Sequence, residues 1–234
     1  MATLATPAGE LGWRAEDFTL KDAYGNPFRL YDLKGSSGTL VMFICNHCPY
    51  VRAIAGRIVR DALDLQKRRV SVIAVMPNDY VRYPDDAPEQ MKHFAEEHGF
   101  SFPYVVDETQ EVARAYGAVC TPEFFGFNAD LELQYRGRLD PSRTTLVPDA
   151  RRELFEAMCR IAETGKGPME QQASMGCSIK WREEPPNLLD DLAPYTRPYS
   201  TGHCKAAMSY RVPCRPAAGG LTSRPFADGT TTPR

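Results

Sequence analysis

Leu40-Val41-Met42-Phe43-Ile44-Cys45-Asn46-His47-Cys48-Pro49-Tyr50 is the stretch that decides the fold. Five apolar residues in a row suit a central strand covered on both faces. Two cysteines with a two-residue spacer follow at once. Beyond them Val51, Ile54, Ile58, Ala62 and Leu65 recur at three- and four-residue intervals with Arg, Asp and Lys between them, which predicts an amphipathic helix. Pro49 suits the first position of that helix, where a missing N–H costs little. The cysteine pair therefore falls between a buried strand and a helix N-terminus.

Working outward, Phe18–Leu20 and Phe28–Leu30 flank the polar turn Asp22-Ala23-Tyr24-Gly25-Asn26-Pro27 and read as a hairpin. Val70–Met76 is a second buried strand, closed by Pro77-Asn78-Asp79. A helix over 87–98 buries Met91, Phe94 and Ala95. A short strand over 104–106 and a short helix from Thr109 to Tyr116, stopped by Gly117, come next. Phe124–Phe127 and Leu131–Tyr135 predict a second hairpin, and the last helix runs from about Pro148 to Glu163. The pattern is α/β, with a mixed central sheet that is parallel in its middle, antiparallel at one edge and flanked by helices. We divide the chain into an N-terminal extension (1–11), a domain (12–165), a segment packing on it (166–184) and a tail (185–234). That tail is rich in Pro, Gly, Ser, Thr and Arg and is expected to be disordered.

The chain has 234 residues, 43% of them hydrophobic and 25% charged, with a net charge of -2. This gives no reason to expect nucleic acid or an anionic membrane as partner. No positive cluster precedes a long apolar run at the start, and no apolar run reaches membrane-spanning length, so a cytoplasmic location is expected. Seven scattered cysteines argue for one reactive pair plus bystanders rather than a disulfide scaffold.

A helix N-terminus presents unpaired N–H groups and the positive end of the macrodipole, which favour a thiolate. A cysteine there can have its pKa lowered from about 8.5 to between about 3.5 and 7.5. One thiolate can attack a disulfide while the second releases the mixed disulfide. A protonated His47 between the cysteines would favour the thiolate further. A zinc site would need four ligands, and His203 with Cys204 is the remaining candidate of the right type. No metal and no cofactor is expected.

Phe43 to Tyr50 resembles the active-site region of the thioredoxin superfamily. The preceding hairpin and the long insert before Gly117 resemble its peroxiredoxin (alkyl hydroperoxide reductase/thiol-specific antioxidant) and TlpA-type branches. Tyr116-Gly117-Ala118-Val119-Cys120-Thr121-Pro122 is similar to the cis-proline loop of that superfamily. Met175-Gly176-Cys177-Ser178-Ile179-Lys180-Trp181 resembles a C-terminal signature of bacterial thioredoxin-family proteins. The resemblance implies a thioredoxin-like fold and a thiol–disulfide oxidoreductase in which Cys45 attacks and Cys48 resolves. Asn46, His47, Thr121 and Pro122 would then contact substrate, with backbone at Thr121 presented to an extended chain. Aligned with the peroxiredoxin motif Pro-x-x-x-Thr-x-x-Cys, Cys48 becomes the peroxidatic residue, Cys45 takes the threonine position and Val41 the proline position. Peroxide reduction with Cys45 as resolver is thus the alternative, and a metal-binding or redox-sensing module is the third. A protein disulfide or a small peroxide would be the substrate, with an external thiol as electron donor. Cys120 is a possible third thiol, Cys159 a core residue, and Asp85-Asp86 a loop. Cys45 is expected to carry the lowered pKa.

Overall fold

The computed structural model describes residues 3–5 and 11–182. The expectations for 185–234, including those for His203 and Cys204, lie outside the described residues.

In chain order the elements are β1 (Thr3–Ala5), β2 (Thr19–Asp22), β3 (Pro27–Arg29), α1 (Leu30–Leu33), β4 (Gly38–Phe43), α2 (Pro49–Gln66) and β5 (Val70–Met76). A single helical turn, Pro84–Asp86, precedes α3 (Pro88–His98) and β6 (Tyr104–Val106). Then come α4 (Glu111–Ala115), β7 (Cys120–Thr121), β8 (Glu123–Phe127), β9 (Leu133–Gly137), α5 (Glu153–Thr164) and β10 (Met175–Ser178).

Seven strands form one sheet in the order β3-β2-β6-β5-β4-β8-β9. β4, β5 and β6 are parallel, and β8 and β9 continue antiparallel on one side. The β2–β3 hairpin joins β6 antiparallel on the other, so both edges are antiparallel where one was expected. β4 is buried along its whole length. Alternation along it sends Leu40 and Met42 into the core beneath α2, α3 and α5, and Val41 and Phe43 into the opposite core with Tyr116, Phe125 and Phe127. A strand with two apolar faces has no polar period, which is why 40–44 reads as an unbroken run. Among the described residues no helix is long and apolar enough to cross a membrane.

α5 begins at Glu153, several residues later than the sequence predicts. Asp149 takes a positive φ of 52°, which no helix tolerates, and Arg57 holds the preceding loop through the Val147 carbonyl at 2.7 Å. A second sheet of three short strands, β1-β10-β7, lies over the start of the Pro122 loop.

Candidate active site

Four pieces of chain converge on the cysteine pair. β4 delivers Cys45, and Cys48 is the N-cap of α2 with Pro49 behind it. β7 supplies Thr121, ahead of a cis bond to Pro122. Cys45 Sγ lies 3.2 Å from Thr121 Oγ1, and Cys48 Sγ lies 3.0 Å from the Thr121 carbonyl. The fourth piece is β10, which places Cys177 Sγ 3.1 Å from Cys48 Sγ. All three cysteines are buried.

These contacts divide the thiols by charge. Cys48 is lowered to about 5, first by the hydrogen bond from Cys45, then by those from Cys177 and the Val51 backbone N–H, against the opposing cost of burial. The Thr121 carbonyl can accept from a Cys48 thiol and is the neighbour that resists ionisation; several donors act against it. Cys45 moves the other way. Burial raises its pKa, as do its hydrogen bond to Cys48 and the negative charge of Asp86. The expectation that Cys45 carries the lowered pKa is therefore overturned. The helix N-terminus acts on the residue at its cap, and that residue is Cys48 rather than the cysteine three positions earlier.

Asp86, expected to be a plain loop residue, is fully buried and organises the motif. One oxygen accepts from the backbone N–H groups of Asn46 at 2.8 Å and His47 at 3.2 Å. The other meets His47 Nδ1 at 2.5 Å and accepts from Asn78 Nδ2 at 2.8 Å. The hydrogen bond to Asp86 raises the His47 pKa, and the ring stacks on Tyr83 at 6.1 Å between centroids. A positive His47 thus persists to higher pH beside the thiolate.

Asn46 was expected to face substrate. It is instead a buried brace: its amide donates to the Asp85 carbonyl at 3.1 Å and accepts from Tyr104 Oη at 2.9 Å. Thr121 and Pro122 are buried as well. The Thr121 backbone is not presented to an incoming chain, because β10 pairs with it antiparallel, Cys177 opposite Thr121 and Ser178 opposite Cys120. Cys120, expected as the possible third thiol, lies one residue away on a strand, so its side chain leaves on the opposite face from Thr121. Its Sγ is 3.8 Å from the Pro122 carbonyl. The third thiol beside Cys48 is Cys177.

Cys45, His47 and Asp86 offer ligand atoms within 4.8 Å of one another. Both Asp86 oxygens already take two hydrogen bonds each, so a cation could bind only by displacing the groups that shape the loop. The donor set fits a hydrogen-bonded brace better than a metal centre. A cavity of about 760 Å³ is lined by Phe18, Leu20, Tyr80, Val106 and Tyr116 and has none of the cysteines in its wall.

A mixed sheet with a cysteine pair at a strand–helix junction, facing a proline loop, defines a thioredoxin-superfamily protein of the peroxiredoxin-like kind. The chain belongs to the AhpC/TSA family, whose profile matches residues 11–154. It is similar to an uncharacterized conserved protein of Geobacillus kaustophilus, with 44% identity, 79% of this chain and 99% of that one covered, and a TM-score of 0.75. A hypothetical protein of Sinorhizobium meliloti matches at 35% identity over 77% of this chain and 99% of its own, with a TM-score of 0.74. A Mycobacterium tuberculosis protein named provisionally as a peroxiredoxin is 25% identical over 154 residues, 66% of this chain and 87% of its own.

Proposed function

We propose that this chain is a thiol-dependent oxidoreductase in which Cys48 is the attacking thiolate and a small hydroperoxide is its substrate. The observation that carries this reading is the position of Cys48 at the N-cap of α2, with its pKa near 5 through donors from Cys45, Cys177 and Val51. At neutral pH such a residue is a thiolate, and the thiolate is the nucleophile. The order of roles is the reverse of the one the thioredoxin resemblance implies. It agrees with the peroxiredoxin alignment, in which Cys45 stands at the motif threonine, and Cys45 here donates a hydrogen bond to Cys48 as a hydroxyl would.

Substrate size follows from access. Both sulfurs belong to residues with no exposed surface, and the chain's own β10 occupies the strand edge that a peptide would use. A hydroperoxide needs only a narrow path. Cys48 attacks the terminal peroxide oxygen, the O–O bond breaks, and the alkoxide leaves with a proton, so that the peroxide is reduced to alcohol and Cys48 becomes a sulfenic acid. An external dithiol returns the two electrons.

The test is peroxide consumption with dithiothreitol as reductant, alongside alkylation rate against pH. Cys48→Ser should abolish turnover, whereas Cys45→Ser should keep the first oxidation. Alkylation of Cys48 should titrate near pH 5. If low-pH alkylation maps to Cys45 and survives in Cys48→Ser, the assignment of roles is wrong.

A further inference from the structure

Cys177 sits too close to Cys48, and by too deliberate a construction, to be a bystander. We propose that Cys177 is the resolving residue of this site: it closes a disulfide with Cys48, carried there by an internal strand that lies in the substrate groove. The inference rests on the proposed role of Cys48 and adds the identity of its first partner.

Three observations carry it. The sulfurs are 3.1 Å apart, and β10 is paired in register so that Cys177 stands opposite Thr121. β10 approaches this closely because residue 176 is glycine: a Cβ there would run into the carbonyl group of Thr121 and lie 3.0 Å from the Pro122 nitrogen. The strand is then fastened beyond the cysteine. Ile179 N–H donates to the Val119 carbonyl at 3.2 Å, Lys180 N–H to Asn78 Oδ1 at 2.8 Å, and Asp79 N–H to the Lys180 carbonyl at 2.8 Å. Asn78 is also a partner of Asp86, so one side chain ties the strap to the brace of the motif.

Charge distinguishes Cys177 from Cys45 as the group that resolves. Burial and the hydrogen bond to Cys48 hold the Cys177 thiol up near 12, while the nearby Lys180 ammonium pulls it down. Cys45 has the Asp86 carboxylate pushing it up instead, and the His47 ring, also within 4.8 Å, is tied to that same carboxylate. Once Cys48 is oxidised its negative charge is gone, and with it the interaction that held both protons in place. The thiol beside a cation then ionises more readily than the thiol beside the closed His47–Asp86 pair. Cys177 loses its proton and attacks the Cys48 sulfur. The S–S bond forms, the S–O bond breaks, and the hydroxide leaves as water with that proton. An external dithiol then reduces the disulfide.

The reduced full-length protein is treated with one equivalent of hydrogen peroxide and quenched with an alkylating agent. Its disulfides are then mapped by mass spectrometry, with dimedone trapping any sulfenic acid. The expected product is a peptide pair joined through Cys48 and Cys177, formed also in Cys45→Ser. Cys177→Ser should instead accumulate the dimedone adduct of Cys48. Gly176→Ala keeps all three thiols and should lower the yield of the bridge several-fold by pushing the strand away. Oxidised Cys48 bridged to Cys45 alone in the wild type, with an unbridged sulfenic acid in Cys45→Ser, overturns the role of Cys177 and leaves the role of Cys48 standing. No oxidation at Cys48 overturns both.

Discussion

Two buried carboxylates brace the thiol site from opposite sides, and they are built differently. Asp86 holds the Cys45–Cys48 loop through two backbone N–H groups and His47. Glu123 holds the Val119–Cys120 end of the opposing loop, accepting from the Val119 N–H at 2.8 Å and the Cys120 N–H at 3.4 Å. Its counterion is Arg136, which donates twice to the other oxygen at 2.9 and 2.7 Å and once to the Gly117 carbonyl at 2.6 Å. Each carboxylate turns a loop into a fixed wall. The difference lies in the cation. A guanidinium stays charged at every ordinary pH, whereas an imidazole does not. One carboxylate is therefore paired with a guanidinium, and the one on the wall that carries the nucleophile is paired with an imidazole.

The largest effect tests the permanent pair. Glu123→Gln leaves Arg136, whose side chain is only 10% exposed, without a counterion. It also turns one accepting oxygen into an NH₂ group that must face an N–H or guanidinium donor. Breaking a buried pair from one side costs about 3–5 kcal/mol. We expect a loss of that order in urea unfolding, with both Cys120 and Thr121 displaced and peroxide turnover lowered. A loss below about 1 kcal/mol would mean that Arg136 finds water instead and that the two walls are not comparable.

Asp86→Asn is the matched change on the other wall and should cost less, about 1–3 kcal/mol, because a neutral His47 can accept from the new amide. The remaining conflict is with Asn78 Nδ2, a donor that would face a donor. The pKa of His47 should fall, since the hydrogen bond to Asp86 is the main cause of its rise. Proton NMR titration of the imidazole reads this directly. An unchanged midpoint would show that the Asp86 contact does not govern His47.

The two braces also differ in how far they could be read. The walls of the sheet were legible: uninterrupted apolar runs at 40–44 and 70–76 and the stripe from Val51 to Leu65 lie on elements whose period is local. The cysteine pair was legible for the same reason, as spacing between two such elements. Asp86 carried no signal of its own, because one acid of a two-acid turn looks like any solvated charge, and its partners in the motif, Asn46 and His47, lie 40 and 39 residues earlier. Cys177 could be read as a thiol able to pair with another, but not with which one, since its contact with Cys48 spans 129 residues. Gly176 in Met175–Ser178 was the one local clue, a residue without a side chain placed beside a cysteine. Which cysteine holds the lowered pKa turned on the alignment: Pro49 already marked the start of α2 and so put Cys48 at its cap, whereas the thioredoxin resemblance gave the attacking role to Cys45.

The most gradual effect, spread over pH at no more than about 1.4 kcal/mol per unit, is the pH dependence of stability under reducing conditions. His47 has its pKa raised by folding, so its contribution is complete below the unfolded value of about 6.5 and is lost as pH rises through the folded value. Cys48 has its pKa lowered to about 5. Its contribution is complete above the unfolded value of about 8.5 and is lost as pH falls toward the folded one. Between about pH 5 and 6.5, of these two groups only Cys48 changes its contribution, and its share of the stability should rise with pH by up to about 1.4 kcal/mol per unit. Above that range the two oppose each other and the curve should flatten. Subtracting the Cys48→Ser curve from that of the wild type isolates the thiolate, and the Asp86→Asn curve isolates the imidazole. Parallel curves for wild type and Cys48→Ser across this range would show that Cys48 is protonated in the folded protein, and the charge on this wall would then belong to His47 alone.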